Sequence, residues 1–402
     1  MTAPTPLLLT EGEAATTVAL TDAEYAALQG LALVNVTPTL THGLFEVSAS
    51  RKVGAVRIGE RQIVVRPKIT DLNRLVFLLG YAKDPGIWRD DLVHLSADED
   101  LLPALAEAFG RLALRAVEQG LLQGYRTVTD RLPVLRGRLL AGEQMTRLYG
   151  LPVPVAVEYD DFTIDIAENQ LLLMAVNRLI TAPRLAEAAR RRLQRLRRIL
   201  ADVTVSPRGA VLPKWHRSRL NARYHSALAL AHIVLAAESF EHRIGDLTVT
   251  GYMFDMWRVF EDFVTTALRE ALHSEGGHSA CQKSLSLDLR DRVVMRPDLM
   301  WMRDGNVRAV VDAKYKAERP EGFPNADLYQ MLAYCTVLDL PEGHLVYARG
   351  NEPVDLHTAR GSGVVIHCHA LDLSAPPAEL LRQVEQLAAT VAQLTGALSV
   401  GA

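Results

Sequence analysis

Cysteine is scarce in this chain. The three present, Cys281, Cys335 and Cys368, are too few and too scattered for a metal quartet or a disulfide framework. His367-Cys368-His369 comes nearest to a soft-metal cluster, but strand alternation sends Cys368 to one face and both histidines to the other. Long apolar runs are missing too, and no stretch reaches the length that crosses a bilayer. The start, Met1-Thr2-Ala3-Pro4, lacks the basic segment of a signal peptide. A cytoplasmic protein without membrane contact is expected. Nor is there a surplus of positive charge: 44 Lys and Arg stand against 47 Asp and Glu, a net of −3. Phosphate contacts dominate DNA affinity, so a chain with this balance that acts on DNA is expected to receive it from a partner. No repeat or low-complexity tract interrupts the 402 residues, and 49% hydrophobic content is enough to core two or three domains.

What the chain does have is chemistry concentrated in two short stretches, Arg296-Pro297-Asp298 and Val311-Asp312-Ala313-Lys314. Asp298 and Asp312 lie 14 positions apart. Residues 307–314 are rich in β-branched side chains and follow a turn signal, Arg303-Asp304-Gly305-Asn306, so they read as a strand with Asp312 and Lys314 on one face. Residues 293–302 read as its hairpin partner. A two-residue Asp304-Gly305 loop would set Asp298 opposite Val311, on the wrong face. A three-residue loop from Arg303 to Gly305 would set it opposite Val310, on the face of Asp312; either that loop or a bulge is therefore expected. Two carboxylates converging from adjacent strands make an all-oxygen site suited to Mg²⁺ or Mn²⁺. Lys314 beside them can hold an attacking water or offset charge developing on a phosphorane.

Helical spacing adds two further residues. In the helix expected over 254–272, Glu261 shares a row with Trp257, Val264 and Leu268. A carboxylate on an apolar row is costly unless paired or metal-bound, so Glu261 is either a third acid near the same ion or a half-exposed residue at the core edge. In the helix over 325–334, Gln330 and Tyr334 are four apart and can face one side. Gln330 there could bind a phosphate, order the Lys314 strand, or be a surface amide.

A helix with Glu, a strand with Pro-Asp, a strand with Asp-x-Lys and a helix with Gln-x-x-x-Tyr together resemble the PD-(D/E)xK nuclease superfamily. More narrowly, Met253-Phe254-Asp255-Met256, Phe260-Glu261-Asp262-Phe263-Val264, Arg296-Pro297-Asp298, Asp312-Ala313-Lys314-Tyr315-Lys316 and Tyr329-Gln330-Met331-Leu332-Ala333-Tyr334 resemble McrC, the endonuclease subunit of McrBC-type modification-dependent restriction systems. Upstream, Val65-Arg66-Pro67-Lys68-Ile69, Phe77-Leu78-Leu79-Gly80-Tyr81-Ala82, Leu135-Arg136-Gly137-Arg138-Leu139 and Asn221-Ala222-Arg223-Tyr224 are similar to stretches of the same family. Trp257 and Arg258 depart from the small polar pair expected there, which puts local packing in question. The resemblance implies Asp298 and Asp312, with Glu261 as a third acid, as metal ligands for Mg²⁺, Lys314 as the catalytic lysine, and Glu261 and Gln330 as accessory catalytic residues. It also implies double-stranded DNA as substrate and a McrB-like AAA+ GTPase hexamer as partner. That hexamer would recognise and translocate the DNA, and this chain would stimulate its nucleotide hydrolysis. The alternative is a non-catalytic activator of the motor that retains the nuclease fold.

The fold class expected is an α+β N-terminal region with a β-rich start and a helical middle, then an α/β PD-(D/E)xK restriction-endonuclease-like domain. Domain cuts are expected at 1–150, a β-rich and helical region for partner docking; 151–240, a helical linker or bundle; and 241–402, the nuclease. Within these, residues 1–70 read as mostly β with a helix near 22–31, and 45–49 and 55–65 read as strands. Helices are expected at 71–83 and 97–121, the second opening on a Ser96-x-x-Glu99 capping box. Residues 125–157 read as irregular or β-containing. Residues 166–202 form a helical hairpin turned at Thr181-Ala182-Pro183. Its second helix has a Leu185, Ala189, Leu193, Leu196, Leu200 seam and carries Arg190, Arg191, Arg192, Arg195, Arg197 and Arg198. These six arginines either track a phosphate backbone, meet a partner or form a solvated face. A helix over 220–238 leads into the nuclease half, and from Pro376 onward an amphipathic helix is expected to pack on its sheet.

Overall fold

The β-branched stretch Lys52–Ile58 pairs antiparallel with Arg61–Arg66, but its other edge finds a partner nearly two hundred residues later. Leu247–Asp255 runs antiparallel to it, with Val56 opposite Gly251 and Lys52 opposite Asp255. Leu7–Thr10 and Glu238–Ile244 complete a five-stranded sheet. This computed structural model describes the chain apart from residues 1–5, 30–32, 68, 70–71, 83–84, 86–100, 150, 183–184, 208–210, 245–246, 316–324, 349–354 and 398–402. The Ser96-x-x-Glu99 box falls outside the described residues.

That long-range pairing divides the chain differently from the expected cuts at 150 and 240. One unit joins Met1–Ala104 with Ala236–Ala402, and the other is the intervening Leu105–Leu235. The N-terminal strands thus belong with the expected nuclease half, because the edge of Lys52–Ile58 is satisfied there and an unpaired edge is costly.

In the discontinuous unit a six-stranded sheet runs His278–Cys281, Leu299–Arg303, Asn306–Lys314, Glu342–Ala348, Val365–Leu371, Asp355–Thr358 among the described residues. The first three strands are antiparallel, and Asn306–Lys314, Glu342–Ala348 and Val365–Leu371 are parallel. Helices Met256–Ser274 and Asn325–Leu338 both pack on the Asn306–Lys314 strand. Met256–Ser274 is N-capped by Asp255, whose carboxylate accepts the Trp257 amide at 3.2 Å. It buries Val259, Phe260, Phe263, Val264, Ala267 and Leu268, each large side chain contributing about 1.5–3 kcal/mol. That sum outweighs the cost of placing Glu261 among them. Phe263 meets Phe77 and Tyr81 edge-on at 6.0 and 5.6 Å. Trp257 is 37% exposed, so the departure at Trp257-Arg258 leaves the core intact. As expected, the C-terminal helix Pro377–Ala397 packs on the sheet, and it also packs on Met256–Ser274.

Asn325–Leu338 packs through Met331, Tyr334 and Cys335 onto Met300, Val310 and Leu345. Its approach to the Glu342–Ala348 strand needs a residue without a side chain: a Cβ on Gly343 would lie 2.5 Å from Met331 Sδ and 2.6 Å from Cys335 Sγ.

In the Leu105–Leu235 unit, Gly124–Leu132 pairs antiparallel with Val155–Thr163 over nine positions, and Arg138–Leu139 adds a short third strand. The expected helical hairpin forms as Ala167–Leu179 and Glu187–Ile199. Ala189, Leu193 and Leu196 turn inward, and the arginines occupy the remaining surface. His225–Ala236 follows a short 3₁₀ turn, Ala222–Tyr224.

Candidate active site

The partner strand expected over 293–302 is broken in two. Val294–Met295 pairs with Leu285–Ser286, and Leu299–Arg303 pairs with Asn306–Lys314. The break falls at Pro297-Asp298, where proline has no amide to donate to a ladder.

Across the hairpin, Asp304 and Gly305 both have positive φ, 53° and 78°, and Arg303 pairs with Asn306. The loop therefore has two residues rather than three, as the primed turns of tight hairpins require. The register then shifts at a bulge: Met302 faces Val307 and Trp301 faces Ala309, which leaves Arg308 unpaired. Beyond it Leu299 faces Val311, so the next step outward brings Asp298 level with Asp312 and not with Val310. A bulge solves the register problem, in the opposite direction from the three-residue loop.

The two aspartates are 8% and 2% exposed. Asp298 Oδ2 accepts the Ala313 amide at 2.7 Å across the hairpin. Asp312 Oδ2 meets the Lys314 ammonium as an ion pair but accepts no hydrogen bond, although it is fully buried. Lys314 Nζ also donates to Gln330 Oε1 at 3.0 Å. Gln330 Nε2 donates to the Tyr334 hydroxyl at 2.6 Å, and that hydroxyl donates to the Arg296 carbonyl at 3.2 Å. The helical pair Gln330 and Tyr334 thus runs from the lysine back to the Arg296-Pro297-Asp298 stretch.

Glu261 is 5% exposed and faces the same site. Its Oε1 accepts Gln282 Nε2 at 2.6 Å, and the Gln282 amide donates to the Asp298 carbonyl at 3.1 Å. Sequence reasoning missed Gln282: it lies outside every motif, and no periodicity marks it.

Electrostatics records the crowding. Burial, then the charge of Asp312, and further the proximity and hydrogen bond of Glu261 push Asp298 from the ordinary carboxylate range up to about 9, against the pull of the Ala313 amide. Burial disfavours the Lys314 ammonium, but Asp312, Asp298 and Asp327 hold its pKa above the usual lysine value. Burial followed by the Asp312 charge also raises the Tyr334 hydroxyl. Three carboxyl groups with one lysine leave negative charge in excess, and an oxygen-only donor set in which the buried Asp312 Oδ2 is met only by the Lys314 ammonium fits a hard divalent cation. Among the described residues no group of three or more His, Cys, Asp and Glu is arranged to hold a metal ion. Mg²⁺ takes one or two carboxylates and completes its shell with water and phosphate. Asp298 and Asp312 are the pair that fits.

The His367-Cys368-His369 strand alternates as expected, with Cys368 in the core cluster and the histidines on the other face. A third histidine joins them from the neighbouring strand. His344 is fully buried, its Nδ1 is 3.1 Å from His369 Nε2, and it stacks on His367 at 5.1 Å. Burial, then the neighbouring histidines, lower His344 well below its ordinary value and His369 to about 4. Both shifts favour the uncharged ring at His344 and His369.

Fold and candidate site together describe a mixed α+β protein with clustered carboxylates and one lysine at a β-hairpin. The chain belongs to the family of McrBC 5-methylcytosine restriction system components, which matches residues 47–348. Among solved structures, the refined half-complex from a tetradecameric assembly of Thermococcus gammatolerans McrB AAA+ hexamers with bound McrC contains a chain that is 15% identical, with a TM-score of 0.57; the match covers 96% of this chain and 100% of that one. The cryo-EM structure of the T. gammatolerans McrBC complex matches 67% of this chain and 88% of its own at 17% identity, with a TM-score of 0.37. No curated protein matches. Among the described residues no helix is long and apolar enough to cross a membrane.

Proposed function

We propose that this chain is the Mg²⁺-dependent endonuclease subunit of a McrBC-like, modification-dependent restriction complex in the cytoplasm. Its catalytic domain would be of the PD-(D/E)xK type, acting on double-stranded DNA. The observation that carries the reading is the convergence of Asp298, Asp312 and Lys314 at one end of a buried hairpin, with Glu261 behind them. Asp298 and Asp312 would hold Mg²⁺ or Mn²⁺, which when bound supplies Lewis acidity toward a phosphodiester. Lys314, fixed by Asp312 and Gln330, donates toward the attacking water or the charge that grows on the phosphorane oxygens. Gln330 acts through the lysine and Tyr334, which favours its ordering role over direct phosphate binding. Glu261, held by Gln282, keeps the local field negative and the cation in place. Water attack at phosphorus releases a 3′-hydroxyl and leaves a 5′-phosphate.

The partner proposed is a McrB-like AAA+ GTPase hexamer that recognises and translocates the DNA and whose hydrolysis this chain stimulates. The side chains that support a docking surface in the Leu105–Leu235 unit are Tyr125, Val134, Leu135, Met145, Tyr149 and Phe162, which are 57–87% exposed. A concentration of exposed apolar side chains of this kind marks a protein-binding surface. A chain that stimulates the motor through this surface but does not cut remains the second reading, and one experiment separates the two. In the reconstituted complex, Asp312→Ala or Lys314→Ala should reduce cleavage by about a hundredfold or more and leave motor stimulation intact, whereas Tyr149→Ser with Leu135→Ser should reduce stimulation. Undiminished cleavage by Asp312→Ala would overturn the catalytic assignment.

A further inference from the structure

The chain's net charge of −3 conceals a segregation. Leu105–Leu235 carries 20 Lys and Arg against 11 Asp and Glu, a net of +9, while the remainder carries 24 against 36, a net of −12. Within the basic unit the charge gathers on one helix. On Glu187–Ile199, Arg190, Arg191, Arg195, Arg197 and Arg198 fall in a continuous band opposite the Ala189, Leu193, Leu196 seam. Arg192, on the flank, is taken up by Glu107 at 2.6 Å, and Arg191 lies 3.6 Å from Glu187. Among the described residues, Arg190, Arg195, Arg197 and Arg198 have no acidic partner. Complementing the helix dipole accounts for Arg197 and Arg198 in the last turn but not for Arg190 and Arg195.

The band continues into a cavity of 1140 Å³ beside the same helix. Arg178, Arg197 and Arg198 stand at it with Asn177, Thr181 and Ser206, while the rest of the lining is mostly apolar, including Leu173, Met174, Ile180, Leu200, Val205 and Leu212. From Arg190 to Arg198 the helix advances about 12 Å. Duplex DNA of that length carries about seven charges, at one per about 1.7 Å, enough to face four free guanidinium groups. Among the described residues of Glu187–Ile199, Ile199 is the one large exposed apolar side chain, at 37%; most of the unit's others lie between Tyr125 and Phe162, with Val205, Val211 and Leu220 elsewhere. A protein partner fits the apolar surface, and a polyanion fits the arginines.

We infer that the arginine band of Glu187–Ile199 grips the phosphate backbone of duplex DNA. The inference rests on the reading of this chain as a nuclease acting on duplex DNA, and it adds where the chain itself holds that DNA. The test measures binding of a fluorescent 30-base-pair duplex by the full chain carrying Asp312→Ala, across a salt series. Binding is therefore read independently of cleavage, and a failure of the catalytic assignment leaves this result interpretable. Replacing Arg190, Arg195, Arg197 and Arg198 together by Gln should weaken binding about tenfold or more at low salt. It should also flatten the slope of log affinity against log salt by about 3 to 4, close to one per lost phosphate contact. The matching Arg→Lys variant, which keeps the charges, should retain most of the slope and guards against misfolding as the cause. Three results would each overturn the inference: no measurable binding by the parent chain, an unchanged slope in the Gln variant, or intact DNA binding with lost motor stimulation. The last would assign the band to the protein partner.

Discussion

Asp298 occupies a protonation state that a solitary carboxylate would not adopt. With its pKa raised from 3.8 to about 9 by burial and by the Asp312 charge, it holds a proton in the folded chain across a range where the unfolded chain has released it. The sign follows from linkage: stability from this group is fully present below about pH 4 and is lost as pH rises toward 9, at roughly 1 kcal/mol per pH unit. A divalent cation at the site reverses this by favouring the ionised form. Metal-free protein should therefore melt at progressively lower temperature from pH 5 to pH 8, and Asp298→Asn should remove most of that trend. Mg²⁺ at pH 8 should raise the melting temperature of the parent chain and not that of Asp298→Asn. Equal stabilisation of both by Mg²⁺ would sink the assignment of Asp298 as a ligand.

At the scale of elements, one unpaired residue sets the hairpin. With a two-residue Asp304-Gly305 turn, strict pairing would carry Asp298 to Val311; the extra residue Arg308 moves the register by one, so that Leu299 meets Val311 and the aspartates draw level. Because the side-chain period is two, a slip of one residue exchanges the faces of the strand. Deleting Arg308 should abolish cleavage and, by exchanging Val310 with Val311 in the core, lower the melting temperature as well; full cleavage by the deletion variant would refute the register account. The sequence carried part of this. The need for an odd register followed from alternation alone, and the row of Glu261 and the pairing of Gln330 with Tyr334 followed from helical spacing. Of the two devices alternation allowed, the bulge is the one present; where in the strand it falls leaves no local mark, because Val307, Arg308 and Ala309 all suit a strand. Gln282 was illegible for a different reason: its bond to Glu261 depends on how a loop folds back, which no period encodes.

Across the whole molecule, the expected domain cuts assumed that neighbours in sequence stay neighbours in space. The hydrophobic pattern of Lys52–Ile58 announces a strand but not its partner, and that partner is Leu247–Asp255. A fragment beginning at residue 241 would lose the Lys52–Ile58 strand from the sheet and bare an edge. Such a fragment should aggregate or unfold without cooperativity in urea, whereas the full chain should give a sigmoidal transition; a soluble, cooperatively unfolding 241–402 fragment would show the N-terminal strands to be dispensable. The same deletion logic makes removal of residues 1–150 a poor probe of partner docking, since it would damage both units at once. Arg57 pairs with Thr250, 193 positions later. At about 5–20 residues per second of synthesis, the early strand waits on the order of 10–40 s for its neighbour to emerge. The intervening Leu105–Leu235 unit has emerged by then, so on the ribosome the carboxylate centre proposed to cut DNA comes into being after the parts proposed to hold the motor and the DNA.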